Sequence, residues 1–111
     1  MHQIPVKQGE SILLINTATI LYFEAYDNYA FVYDEQGGKR LCDYSLLFLA
    51  ERLEDHFLRI HRKYIINTRF IRQIKPHLNG RYLIELDGPD SISLTSSKSY
   101  GEAIRQLIRL R

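Results

Sequence analysis

Turn signals cut this chain into runs too short for anything but strands. Gly9-Glu10, Asp27-Asn28, Gly37-Gly38, Asn79-Gly80 and Gly88-Pro89-Asp90 separate stretches that alternate polar with apolar or are rich in β-branched residues. In the first half these are residues 4–7, 11–15, 21–26, 29–33 and 39–43; in the second they are 57–60, 64–67, 70–75, 81–86 and 91–94. Asn79-Gly80 is the sharpest hairpin signal, because both residue types accept the left-handed backbone of a tight turn. Asp27-Asn28 joins its flanking strands for a related reason, and Asn16 or Thr17 opens one helical turn capped by a side-chain oxygen.

Two segments change period. Leu46, Leu47, Leu49, Ala50 and Leu53 fall at helical spacing, with Asp43 or Ser45 available as the cap. Residues 96–111 return to that spacing through Tyr100, Ala103, Ile104, Leu107 and Ile108. No internal repeat and no linker is visible. The expectation is one domain over residues 1–111, mainly β with two short helices, large enough to bury a core without staples.

Residues 59–75, RIHRKYIINTRFIRQIK, carry Arg59, Arg62, Lys63, Arg69, Arg72 and Lys75 and no acid. Isoleucines recur through the same stretch: Ile60, Ile65, Ile66, Ile71 and Ile74. They anchor the backbone to a core while the cations stay in water, which holds positive charge at fixed positions for a polyanion. The whole-chain net charge of +2 argues little. Its distribution argues more, since residues 24–55 are predominantly acidic and the basic run follows directly.

Other chemistries find little footing. Cys42 is the only cysteine, so no internal disulfide forms, and a reducing cytoplasm is the expected compartment. His2, His56, His61 and His77 show no metal-binding spacing, and no phosphate-cradling glycine loop is present. No metal, cofactor or catalytic role is therefore expected. No run has the length needed to cross a membrane, and the first ten residues lack a signal-peptide pattern.

The chain resembles LytTR-type DNA-binding domains over about residues 4–110. The resemblance rests on Glu24-Ala25-Tyr26-Asp27-Asn28-Tyr29, on FLRIHRKYIIN at residues 57–67, and on Ser97-Lys98-Ser99-Tyr100 opening the last helix. It implies an elongated, mainly antiparallel β domain whose edge loops, rather than a recognition helix, enter successive major grooves of double-stranded DNA. It further implies the output domain of a bacterial two-component response regulator, behind a receiver domain, pairing with a second copy on promoter direct repeats. These 111 residues hold no receiver. Carried over residue by residue, the contacts are Asn28 and Tyr29, Arg62 and Lys63, and Ser97 and Lys98. Lys98 departs from the family's usual arginine, trading a planar fork for a point charge, so a phosphate contact replaces guanine reading as an option there.

Residue chemistry assigns roles within that frame. Arg62 can donate two parallel bonds to guanine, against the bland alternative of a solvated arginine. Lys63 and Arg69 suit phosphates. Two readings stay open for Asn28, an adenine contact or an Asx bond holding its own turn, and two for Tyr29, a phosphate contact or strand packing. Ser97 is first an N-cap, at a helix mouth that also favours phosphate. His61 is expected to be structural or to touch phosphate, and Asn67 to hold a turn. Glu24 and Asp27 would tune specificity. The competing function is a β-rich protein-interaction module with a basic docking face.

Overall fold

The computed structural model describes residues 1–109; Leu110 and Arg111, which end the expected core and the expected last helix, lie outside the described residues. The strands are β1 (Gln3–Gln8), β2 (Ser11–Asn16), β3 (Ile20–Tyr26), β4 (Tyr29–Asp34), β5 (Lys39–Cys42), β6 (Phe57–His61), β7 (Tyr64–Asn67), β8 (Ile71–Pro76), β9 (Tyr82–Leu86) and β10 (Ile92–Thr95). Helix α1 (Leu46–Arg52) follows β5, and α2 (Gly101–Arg109) closes the described chain. All pairings are antiparallel, in sheets ordered β1-β2, β10-β9-β8 and β5-β4-β3-β7-β6. With extents of 43 × 27 × 22 Å the molecule is elongated, and the mainly β architecture with two short helices is the one expected.

The five-stranded sheet is the middle layer. On one face it packs against β1 and α1 through Ile4, Val6, Phe23, Leu49 and Ile65. On the other it meets β9, β10 and α2 through Leu21, Ile60, Ile66, Ile84 and Ile104. Adjacent Ile65 and Ile66 feed opposite cores, as the two-residue pleat requires. Full burial of each contributes about 1.5–3 kcal/mol. Cover on both faces also explains why Ile20, Leu21, Tyr22 and Phe23 are buried in succession instead of alternating.

The absence of a repeat is an expectation that the structure corrects. Each half of the chain runs hairpin, 3-10 turn, three-stranded meander, helix. The hinge in each is an Asn-Thr-x-x-Ile segment: Asn16-Thr17-Ala18-Thr19-Ile20 and Asn67-Thr68-Arg69-Phe70-Ile71. Asn16 Oδ1 accepts from Ala18 N at 2.9 Å, and Asn67 Oδ1 accepts from Arg69 N at 3.0 Å. Thr17 N and Thr68 N both donate to histidine carbonyls, those of His2 and His56, at 2.9 and 2.8 Å. Both meanders begin with a ladder irregularity at the same place, between Ile20 and Tyr22 and between Ile71 and Gln73. Three matching residues in five are too short a signal to stand out by sequence comparison, but they dictate the same backbone. Phe70, expected in a strand, belongs to the second of these turns because Asn67 caps it.

Candidate nucleic-acid interface

Strand direction decides which turns share an edge. β7 lies antiparallel to β3 with Tyr64 opposite Glu24, so the β6–β7 turn at Arg62-Lys63 sits beside the β3–β4 turn at Asp27-Asn28. A bond from Ala25 N to Lys63 O at 2.8 Å ties the two together. The third segment joins through Ser97 N, which donates to Ile60 O at 2.9 Å. Behind Lys98 lies Gly80 of the β8–β9 hairpin tip, which in turn lies against Gly101 at the start of α2. Asn28, Tyr29, Arg62, Lys63, Ser97 and Lys98 are thus brought to one edge.

Arg69 is not. It follows the far end of β7, about 13 Å of strand from the Arg62-Lys63 turn at about 3.3 Å per residue. There it lines an open cleft with His2, Thr17, Glu54, Asp55 and His56.

Within the Arg62-Lys63 turn the backbone is held from several sides. Lys63 N donates to His61 Nδ1 at 3.1 Å, so the imidazole acts as an acceptor there. Burial, and then the charges of Arg62, Lys63, Arg81 and Arg59, hold the His61 pKa below its ordinary value. Arg59 turns inward, donating from Nε to His61 O at 3.0 Å and from Nη2 to Arg62 O at 2.7 Å. His61, Arg62, Lys63 and Tyr64 also border a groove closed on its other side by Ser93, Leu94 and Thr95.

In the Asp27-Asn28 turn, Asp27 takes the left-handed backbone with φ 51°. Asn28 is exposed, and among the described residues its side chain makes no hydrogen bond, so the turn stands without an Asx bond from it. Tyr29 is exposed beside Tyr26. Glu24 is engaged in the fold: Tyr33 donates its hydroxyl to Glu24 Oε1 at 2.7 Å. The Tyr33 ring stacks on Tyr22 at 4.3 Å. Burial, Glu24 and Tyr64 push the Tyr22 phenol up to about 12. Burial and the bond to Glu24 raise Tyr33 well above the usual phenol range.

Ser97 requires a correction. It occupies the N-cap position, but its hydroxyl caps no backbone N–H and meets Ser99 Oγ at 3.2 Å. The segment opens as a tight 3-10 turn, closed by Tyr100 N donating to Ser97 O at 3.1 Å, which leaves the two serine hydroxyls side by side.

Charge pairing sets this edge apart from most of the surface; of the described cations elsewhere, only Lys39, which lies over the Phe31 ring, and Arg69 have no ion pair. Lys7, Arg40, Arg52, Arg72, Lys75, Arg105 and Arg109 all have carboxylate partners. Arg72 and Lys75, counted in the basic run, share Glu85 at 3.2 and 3.6 Å. Among the described residues no ion pair involves Arg59, Arg62, Lys63, Arg81 or Lys98. Sequence reasoning missed Arg81, Ser93 and Thr95 as neighbours of this turn, and the inward role of Arg59. Arg81 was readable in part, since it directly follows the Asn79-Gly80 tip. Ser93 and Thr95 alternate with Ile92 and Leu94, which marks an outward face but not what that face adjoins.

A family model of the LytTr DNA-binding domain matches residues 10–109. The chain is 29% identical over 111 residues to the sensory transduction protein LytT of Bacillus subtilis, covering 98% of this chain and 44% of that protein. It is 32% identical over 85 residues to the CO-responsive transcriptional regulator RcoM of Rhodospirillum rubrum, covering 76% of this chain and 36% of the regulator. With the transcriptional regulatory protein YpdB of Escherichia coli K12 it shares 29% identity over 107 residues, 96% of this chain and 43% of YpdB. The chain thus spans less than half the length of each. Among solved structures, the LytTr DNA-binding domain of a putative methyl-accepting/DNA response regulator from Bacillus cereus superimposes with a TM-score of 0.87. The two are 26% identical, and the match covers 97% of each chain.

Proposed function

The chain belongs to the LytTr DNA-binding domain family, and from that premise we propose that it reads specific duplex sequences with three edge segments as the output domain of a transcriptional regulator. The observation that carries this reading is the gathering of Arg62, Lys63, Arg81 and Lys98, without acid partners, beside Asn28 and Tyr29. Cations already neutralised by carboxylates release no counterions on binding; these do.

In this reading Arg62 reads a guanine edge in the major groove, and Asn28, free of its own turn, reads adenine. Lys63, Lys98 and the Tyr29 and Ser97 hydroxyls hold phosphates, which sets register without specifying sequence. Arg69 reaches a phosphate only where the duplex extends or bends toward the far end of the sheet. A second copy on an adjacent direct repeat, and a receiver domain in the remaining length typical of the relatives, complete a bacterial, cytoplasmic response regulator. The domain performs no catalysis of its own.

Selection from a random duplex pool, in competition with bulk DNA at near-physiological salt, tests the reading. A discrete motif should emerge and vanish with Arg62→Ala, at a cost of about 1–3 kcal/mol on that motif. Lys63→Ala should weaken all duplexes alike and reduce the salt slope by about 0.9. Salt-sensitive binding without enrichment would reduce the edge to a non-specific basic surface. No binding by the folded domain would favour a protein-docking role instead.

A further inference from the structure

Charge alone makes Arg59 one more candidate phosphate contact, but its geometry assigns it differently. The ladder between β6 and β7 is irregular between Arg59 and His61, just where the chain enters the turn. Past the paired His61 and Tyr64, regular strand bonds therefore do not dictate the peptide orientations of Arg62 and Lys63. Other groups do. The guanidinium of Arg59 takes the carbonyls of His61 and Arg62, at 3.0 and 2.7 Å. Ala25 N takes the carbonyl of Lys63 at 2.8 Å, and His61 Nδ1 takes the Lys63 N–H at 3.1 Å.

We propose that Arg59 is a positioning residue: its planar fork fixes two successive peptide carbonyls inward, so that the exposed Arg62 side chain leaves the turn in one direction. The proposal rests on the DNA reading above for its consequence, though not for its geometry. A turn already ordered in the free protein spends no binding free energy on ordering at the DNA, and that ordering favours the matched site over all others. The geometry of the guanidinium matters as much as its charge. Lysine keeps the charge but cannot place donors in one plane toward both carbonyls. Arg59 is only half-exposed, as suits a group whose partners are the protein's own backbone.

The test compares wild type with Arg59→Lys and Arg59→Gln, each first shown to unfold cooperatively in urea. All are titrated with the duplex selected from the random pool and with a scrambled duplex of equal length, over a range of salt. Both variants should lose about tenfold in the ratio of cognate to scrambled affinity, the scale of one mismatched base pair. Arg59→Lys should keep the wild-type scrambled affinity and salt slope. In the free proteins, amide exchange at Lys63 should quicken in both variants, because its bond to His61 depends on the turn staying closed. Equal loss on both duplexes, restored by lysine, would make Arg59 a phosphate contact and overturn the proposal. So would unchanged exchange at Lys63. If wild type itself distinguishes no duplexes, the DNA reading fails, and the exchange measurement still decides whether Arg59 holds the turn.

Discussion

Replacing Asn67 by alanine should cost far more than the same change at Asn16, although the two residues occupy equivalent places in the repeat. Asn67 is fully buried. Its Oδ1 accepts from Arg69 N at 3.0 Å, and its Nδ2 donates to Ile20 O at 2.9 Å, stitching the end of β7 to the start of β3. Loss of the cap costs about 1 kcal/mol. Loss of the Nδ2 donor leaves a buried carbonyl under-satisfied, at about 1–3 kcal/mol. The expected total for Asn67→Ala is about 3 kcal/mol, a large part of the roughly 5–15 kcal/mol that holds a typical domain. Asn16 is exposed and makes only the capping bond to Ala18 N, so Asn16→Ala should cost about 1 kcal/mol. Urea unfolding of both variants, with the m-value unchanged, measures the difference. Asn67→Asp separates the two contributions, since it keeps the capping oxygen but sets a carboxylate against Ile20 O. If capping were the whole contribution, Asp would behave like wild type. Equal losses at Asn67 and Asn16, or a near-neutral Asn67→Asp, would refute the reasoning.

Three further outcomes can be measured with the same material. The His61 pKa is depressed below 6.5 in the fold, so its contribution to stability is present above the unfolded-state value and is lost as pH falls through the folded one. An NMR titration should place His61 below 6.5, and the acid loss of stability should shrink in His61→Asn, which retains an acceptor without a titrating ring. Tyr33→Phe removes the hydroxyl bonded to Glu24 at 2.7 Å and should cost about 1–2 kcal/mol in urea unfolding, with the sheet intact by circular dichroism. Gly101→Ala sets a helix-propensity gain of up to about 1 kcal/mol against overpacking of about 1–3 kcal/mol. Its Cβ would stand 2.9 Å from Gly80 O, which is backbone, so net destabilisation by about 1 kcal/mol is expected, and a stabilised variant would show that the hairpin tip yields.

Local structure was legible because its causes are local. Gly9, Asn79 and Gly80 take positive φ in turns that their residue types favour, and Ser45 accepts from Phe48 N to cap α1 as its position suggested. The partition into three sheets was not legible, because strand pairing across the chain depends on which faces can be covered. The apolar runs at residues 20–23 and 64–66 fit any buried strand equally well. Site residues named from the motif reached one edge because all of them lie in turns or at a helix mouth. Arg69 was grouped with them on charge alone. A run of cations says nothing of strand direction, and β7 carries Arg69 away from the turn that precedes it.

The repeat explains why only one of its two hairpins can serve the edge. The β1–β2 and β6–β7 hairpins are equivalent in order, yet β1–β2 forms a separate two-stranded layer while β7 joins the five-stranded sheet beside β3. Incorporation sets the β6–β7 turn next to the β3–β4 turn and lets Ala25 hold Lys63. The Gly9-Glu10 turn contributes no cation. The β2 strand shows the other side of this difference: Leu14 is 56% exposed, where its counterpart in β7, Ile65, is buried. Burial of β7 is therefore what gives the Arg62-Lys63 turn a rigid base. A conservative cut in that burial, Ile66→Val, should cost about 1 kcal/mol of stability and loosen the edge, whereas Ile12→Val in the exposed strand should change neither.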